Sequence, residues 1–307
     1  MSISFFIQDI NNKGSITVEQ ALNISSGYSQ YVVNKDDEDY EEFIKEKLEN
    51  FEYILLGIEK KSARGFELSY DNDAKTYEVR ILALSSIDDY KAAFEYIKKL
   101  CTFLGCTEII TNDNENYTIN NLQTYPYKEN IKHELAVLYT NLLQSGNNDA
   151  YFEFQGIHRN VTLNVDLLEN VVMLNTENVV EKFSTFVTGL QYINAYEARQ
   201  KFYENDKGAI IGIYAITETV PTILPFNPSV EYENQDMVID EEVTKWITNL
   251  VVINGSPEDK SSYEILGQID YKEFINRLPK EKYGFIDARY ILVQELSRKE
   301  IETIIKG

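Results

Sequence analysis

Alternation and helical periodicity divide the chain into elements before any chemistry is considered. "SISFFIQ" at residues 2–8 predicts a strand, and "TVEQALNI" predicts a short helix, with Thr17 and Gln20 at capping-box spacing. In "DDEDYEEFIKEKLENF" the positions Tyr40, Phe43, Ile44, Leu48 and Phe51 share one helical face and predict a second helix. "FELSYDNDAKTYEVRILAL" alternates twice around the turn-rich "DNDA" and predicts a β-hairpin. Phe66, Leu68 and Tyr70 face one way on its first strand, and Tyr77, Val79 and Ile81 do so on the returning one. "SSIDDYKAAFEYIKKLCTFLG" carries the clearest helical stripe, through Tyr90, Phe94, Ile97, Cys101 and Leu104. Ser86 with Asp89 supplies its cap and Gly105 its stop. Two short strands, "TEIIT" and "YTIN", precede an amphipathic helix through Ile131, Leu135, Leu138 and Leu142.

"GNND" at 146–149 is the best boundary in the pattern. It predicts an N-terminal α+β domain over 1–147 and a strand-rich C-terminal α+β domain over 148–307. In the latter, "YFEFQGI" and "RNVTLNVD" read as strands and "ENVVEKFSTFVTGL" as a helix. "AYEARQKFYENDKGAIIGIYAITE" reads as a hairpin turning at "NDKG", and the proline-rich "VPTILPFNP" as an extended loop. Strands in "TKWITNLVVIN" and "SYEILGQ", a helix in "DYKEFINRL", one strand in "YGFIDARYILVQEL" and a helix capped by Ser297 and Glu300 complete the chain. No internal repeat is present. Hairpins outnumber strand–helix alternation, so the pattern predicts an α+β fold of mainly antiparallel sheets packed by amphipathic helices.

Composition sharpens this. Hydrophobic residues make up 43% of the 307 positions, enough to build a real core, and the 14 glycines and 6 prolines are too few for a linker-rich chain. The formal charge of −21 repels phosphate backbones and anionic lipid surfaces. Nucleic acid and membrane are therefore not expected partners, whereas a basic protein is. The N-terminus lacks a basic region ahead of its short apolar stretch, no run approaches a membrane span, and two cysteines cannot form a disulfide framework. A cytoplasmic location is expected.

Tests for chemistry mostly return nothing. Cys101 and Cys106 with two distant histidines make a poor zinc set, and "DNDAKTYE" has lysine at the fifth position of a calcium loop and no glycine at the sixth. No metal and no cofactor are expected. Nucleophile elbows and phosphate-binding glycine motifs are missing, so no catalytic residue is assigned. Carboxylate pairs carry no signal in a chain with 50 acids. Two clusters stand out. Lys60, Lys61 and Arg64 in "KKSARG" form either an anion site, if their backbone amides converge, or an ion-pair cluster with Glu59, Glu67, Asp71 or Asp73. His158 and Arg159 share a predicted turn and are candidate cleft residues.

"SISFFIQ" with "TVEQAL", the stretch "YILLGIEKKSARGFELSYDNDAKTYEVRIL", and "YAITETVPTILPFNP" together resemble an uncharacterised family of cytosolic proteins from Gram-positive bacteria, a domain of unknown function. The resemblance spans nearly the whole chain, with "S-x-R-G-F-E-L-S" at Ser62–Ser69 its most specific part, and it brings no activity, cofactor or site residue. The first functional expectation is a non-catalytic interaction module, supported by the acidic surface and by 22 tyrosines suited to contacts. The alternative is a hydrolase or transferase using carboxylates, with His158, in an inter-domain cleft. A small-anion sensor at Lys60, Lys61 and Arg64 is a third reading. Oligomeric state is left open.

Overall fold

The predicted strand at the N-terminus, β1 (Ile3–Gln8), lies inside a seven-stranded sheet rather than at its edge. Phe5 and Ile7 are fully buried, while Phe6 and Gln8 emerge on the opposite face, as period-two alternation requires. The sheet takes in β2 (Ser29–Gln30), β3 (Ile54–Gly57), β4 (Phe66–Asp71), β5 (Thr76–Ile81), β6 (Glu108–Thr111) and β7 (Asn116–Thr118). Its order is β2-β3-β4-β5-β1-β6-β7, and every pairing in it is antiparallel. The predicted hairpin is β4–β5, with Tyr70 opposite Tyr77 and Glu67 opposite Arg80. Asp71 holds its turn by accepting from the amides of Asp73 and Ala74, both at 2.8 Å.

The helices of this unit are α1 (Val18–Ile24), the short α2 (Tyr40–Phe43), α3 (Ile87–Leu104), α4 (Tyr127–Gln144), the single turn α5 (Val165–Leu167) and α6 (Val179–Gln191). Helix packs on the sheet through α3, which lies against β3 and β5, and α1, α4 and α6 gather around it. The predicted stripe of α3 is the centre of the core. Tyr90, Phe94, Ile97, Cys101 and Leu104 are buried, Ser86 and Asp89 form a capping box, and Gly105 ends the helix at φ +71°. Phe94 meets Phe5 edge-on at 5.6 Å, and Tyr90, Tyr125 and Tyr127 extend the aromatic cluster. Two small strands, β8 (Phe152–Gln155) and β9 (Asn160–Leu163), pair with each other.

The structure, a computed structural model, describes residues 2–147, 150–172, 176–231 and 234–307, and its two compact units are Met1–Ile193 and Asn194–Gly307. Of the "GNND" boundary, residues 148 and 149 lie outside the described residues. The units divide at 193/194 because α6 packs on α3 and α4, which holds the segment through Ile193 in the first unit. The acidic helix expected over 36–51 shortens to α2 and a 3₁₀ turn at Leu48–Asn50. The backbone between them is diverted to pair with the start of α1, where Val18 and Glu19 donate to the carbonyls of Glu46 and Ile44. Clustered acids add like-charge repulsion to that competition.

The second unit holds two four-stranded sheets. β10 (Tyr196–Glu197), β13 (Thr222–Pro225), β17 (Tyr290–Val293) and β16 (Tyr283–Phe285) form one, in that order. The other runs β11 (Lys201–Glu204), β12 (Ile210–Thr217), β14 (Val243–Ile253) and β15 (Tyr263–Asp270). The hairpin at "NDKG" is β11–β12, while β12 and β14 are parallel. Within "VPTILPFNP", Thr222–Pro225 is strand β13 rather than extended loop, since Thr222, Ile223 and Leu224 are all buried between two partner strands. The single strand expected over 283–296 is broken into β16 and β17, because the buried Asp287 accepts from the amides of Arg289 and Tyr290 and turns the chain. Helices α7 (Tyr271–Arg277) and α8 (Arg298–Lys306) close the core around Tyr214, Leu250, Phe274 and Ile301, and Ser297 with Glu300 caps α8.

Candidate functional site

The loop Ile58–Gly65 leaves β3 and returns into β4, and its backbone amides do converge on an anion. The anion is the protein's own Asp89. Fully buried at the third position of α3, this carboxylate accepts from the amides of Ala63 (3.0 Å) and Gly65 (2.9 Å) on one oxygen. The amides of Arg64 (3.1 Å) and Ser86 (2.9 Å) and the Ser86 hydroxyl (2.9 Å) donate to the other. Burial pushes the Asp89 carboxyl up, and the hydrogen bonds from Ser86, Gly65 and Arg64 pull it back. Every one of these five contacts can donate, so the site is shaped for the ionised form, next to the positive end of the α3 dipole. Gly65 reaches the geometry at φ +67°, where a Cβ would stand 2.2 Å from the Leu56 carbonyl oxygen.

The Arg64 side chain, by contrast, touches no carboxylate among the described residues. Its Nε donates to the Gln155 carbonyl at 2.8 Å, one terminal nitrogen donates to the Ala83 carbonyl, and the guanidinium lies 4.9 Å from the Phe154 ring centroid. Burial holds its pKa down to about 10, opposed by the fields of Asp89, Glu67 and Glu134. The four acids expected as partners are engaged elsewhere. Glu67 pairs with Arg80 at 2.9 Å, Asp71 and its neighbour Asp73 belong to the hairpin turn, and Glu59 faces the second cluster. Lys60 and Lys61 are exposed.

The second cluster, His158 and Arg159, comes to the same place. The Ile157 amide donates to the Ala63 carbonyl at 2.9 Å, and the Tyr192 hydroxyl donates to the Ser62 carbonyl at 2.9 Å. These bonds seat the "GIHR" turn against the 58–65 loop, entirely within the first compact unit. Gln191 holds the turn, its side-chain Oε1 accepting from the amides of His158 (2.9 Å) and Arg159 (3.0 Å). Arg159 donates to the Ile193 carbonyl at 3.2 Å and is a brace for the turn.

The His158 ring sits edge-on between Tyr31 (5.4 Å) and Tyr192 (5.3 Å), with Nε2 3.7 Å from a Glu59 oxygen. The Tyr31 hydroxyl donates to that same oxygen at 3.2 Å. Burial pushes the Tyr31 phenol well up and Tyr192 up to about 12, with the Glu59 charge adding to both, so both are neutral donors at physiological pH. Tyr31 edges a groove of about 450 Å³ that Lys35, Asp37, Glu59, Ile157 and His158 also line. A pocket of about 230 Å³ adjoins it, sharing Tyr31 and Val32 and reaching Arg64, Tyr53 and Gln155. Among the described residues no serine, threonine or cysteine side chain hydrogen-bonds to His158, and no group of three or more His, Cys, Asp or Glu could hold a metal ion. Cys101 and Cys106 are free and buried, with Cys101 raised to about 12 by burial. What the groove offers is recognition: two carboxylates and aromatic edges around an open recess.

Sequence reasoning singled out Lys60, Lys61, Arg64, His158 and Arg159, and the structure gathers all five at two touching loops. Tyr31 and Tyr192 were missed because each is an ordinary aromatic in its own segment. Asp89 was read only as a helix cap. No helix among the described residues is long and apolar enough to cross a membrane. No curated protein and no solved structure matches the chain. The sequence profile of one family, Domain of unknown function (DUF4299), matches residues 2–304. The chain belongs to that family.

Proposed function

We propose that the protein is a non-catalytic interaction module whose first unit takes up a basic segment of a protein partner. The observation that carries this is the groove itself, where Glu59 and Asp37 outnumber Lys35 and where Tyr31 and His158 supply aromatic surface. A lysine or arginine side chain laid there gains a charge-assisted hydrogen bond and a ring contact, the latter worth about 0.5–1 kcal/mol at an exposed site. The net charge of −21 adds long-range attraction for a basic partner and raises its association rate at low salt. Lys60 and Lys61 are not among the residues lining the groove and leave its acidity intact.

Calorimetric titration of the full chain with arginine- and lysine-containing peptides tests the reading. Binding is expected to weaken with rising salt and to fall severalfold in Glu59→Gln and again in the double variant with Asp37→Asn. Binding that ignores both substitutions would place the partner elsewhere, and no binding at low salt would remove the reading.

A further inference from the structure

The pocket beside the groove has at its wall a cation that, among the described residues, touches no carboxylate, although Asp89, Glu67 and Glu134 act on it through their fields. Arg64 makes hydrogen bonds through Nε and one terminal nitrogen, both to backbone carbonyls. Its other terminal nitrogen makes none, and among the described residues no carboxylate oxygen lies within 4.0 Å of the guanidinium. A partly buried charge in this position costs stability unless something pairs with it. Glu67 lines the same pocket, but its carboxylate is held by Arg80 at 2.9 Å. With the fields of Asp89, Glu67 and Glu134 already acting on Arg64, little positive charge is left over, which suits a singly charged anion and opposes a doubly charged phosphate.

Size and surroundings narrow the ligand. The recess is small, about 230 Å³, below the usual range for drug-sized ligands, and suits a single terminal residue. Val32, Tyr53, Leu55 and Leu82 give the rest of the wall a largely apolar surface beside Gln155 and Gly156, and Val32 is 48% exposed and Tyr53 41%. Because Tyr31 and Val32 also wall the acidic groove, a peptide lying in the groove can place its last residue against Arg64. From this juxtaposition we infer that the Arg64 pocket receives the C-terminal carboxylate of the partner, with an apolar final residue and a basic residue upstream in the groove. This rests on the basic-segment reading above and gives that partner a polarity: it binds by its free C-terminus.

Two hexapeptide libraries test it, both varied upstream among lysine, arginine and neutral residues and varied at the final residue, one ending in a free carboxylate and the other in a carboxamide. Each is passed over the immobilised full-length protein and the retained peptides are identified by mass spectrometry. The free acids are expected to be enriched at least tenfold over the matching amides, with apolar final residues favoured. Arg64→Gln is expected to abolish the acid–amide difference while keeping the preference for an upstream base, and Arg64→Lys to restore part of it. Should either variant fail to melt cooperatively, the wild-type comparison still decides. Equal retention of acids and amides, with a base preference lost in Glu59→Gln, overturns the carboxylate pocket and leaves the basic-segment reading standing. Retention of neither library overturns both. An acid preference that survives in folded Arg64→Gln removes Arg64 from the site.

Discussion

Replacing Asp89 with asparagine changes one oxygen to an amide nitrogen and leaves the volume nearly the same, yet it should be among the most damaging single substitutions in the first unit. In the native state the carboxylate accepts from four amides and one hydroxyl. An asparagine keeps one acceptor oxygen, and its NH₂ group must then face donors. Turned the less costly way, it confronts the Ala63 and Gly65 amides and leaves two buried N–H groups unsatisfied, at about 1–3 kcal/mol each. Loss of the negative charge near the partly buried Arg64 adds to this. A total of about 3–5 kcal/mol is expected, a large part of the roughly 5–15 kcal/mol that holds a domain folded. Urea melts followed by far-ultraviolet circular dichroism should show the first unit unfolding about 1–2 M earlier. Hydrogen exchange should find the amides of residues 63–65 protected in the wild type and exposed in the variant. A shift under about 0.5 kcal/mol with those amides still protected would refute the reasoning, because the loop would then be held by something other than Asp89.

Three further outcomes follow from the same packing. Gly65→Ala should cost about 2–4 kcal/mol in the same melts, since its φ of +67° is strained for alanine and the new Cβ would meet the Leu56 carbonyl; an unchanged midpoint would contradict the loop geometry. Phe94→Ala, at a side chain only 3% exposed inside an aromatic cluster, should cost about 3–5 kcal/mol, and a loss below half a kcal/mol would contradict its place in the core. Stability should fall as pH rises from 10 to 12. Burial raises the phenols of Tyr28, Tyr125 and Tyr192 from the ordinary 10.0 to about 12, so in that window the unfolded chain releases protons that the folded chain retains. The last part of the tyrosinate absorbance should therefore rise together with loss of circular dichroism, and ionisation of all 22 phenols by about pH 10 in a still-folded protein would contradict the burial.

Local pattern made most of the elements legible. The stripe of α3, its Ser86–Asp89 cap and the β4–β5 hairpin depend on residues a few positions apart, and each formed as expected. The failures came where distant backbone competes. The acidic run lost its helix to pairing with α1, and "VPTILP" became a strand because two partner strands bury it. The site was half legible for the same reason. "KKSARG" and "GIHR" drew notice by their charge, but Arg64 binds a carbonyl 91 positions away and Tyr192 one that is 130 positions away. No periodicity records contacts of that range. The converging amides at 63–65 were anticipated as a condition for an anion site; that the anion would be an aspartate already inside the fold needed the structure.

The measurement that bears most directly on the central claim is hydrogen–deuterium exchange of the full chain with and without a saturating arginine-rich peptide. Slowed exchange is expected in residues 29–37, 58–65 and 155–159, the three segments around the groove, with that protection lost in Glu59→Gln. The contrary result is protection that spares these segments and falls on the open face of the seven-stranded sheet, where Glu78 and Glu108 line a separate recess of about 790 Å³. The acidic partner surface would then lie there, and the cluster of Tyr31, Glu59 and His158 would be structural.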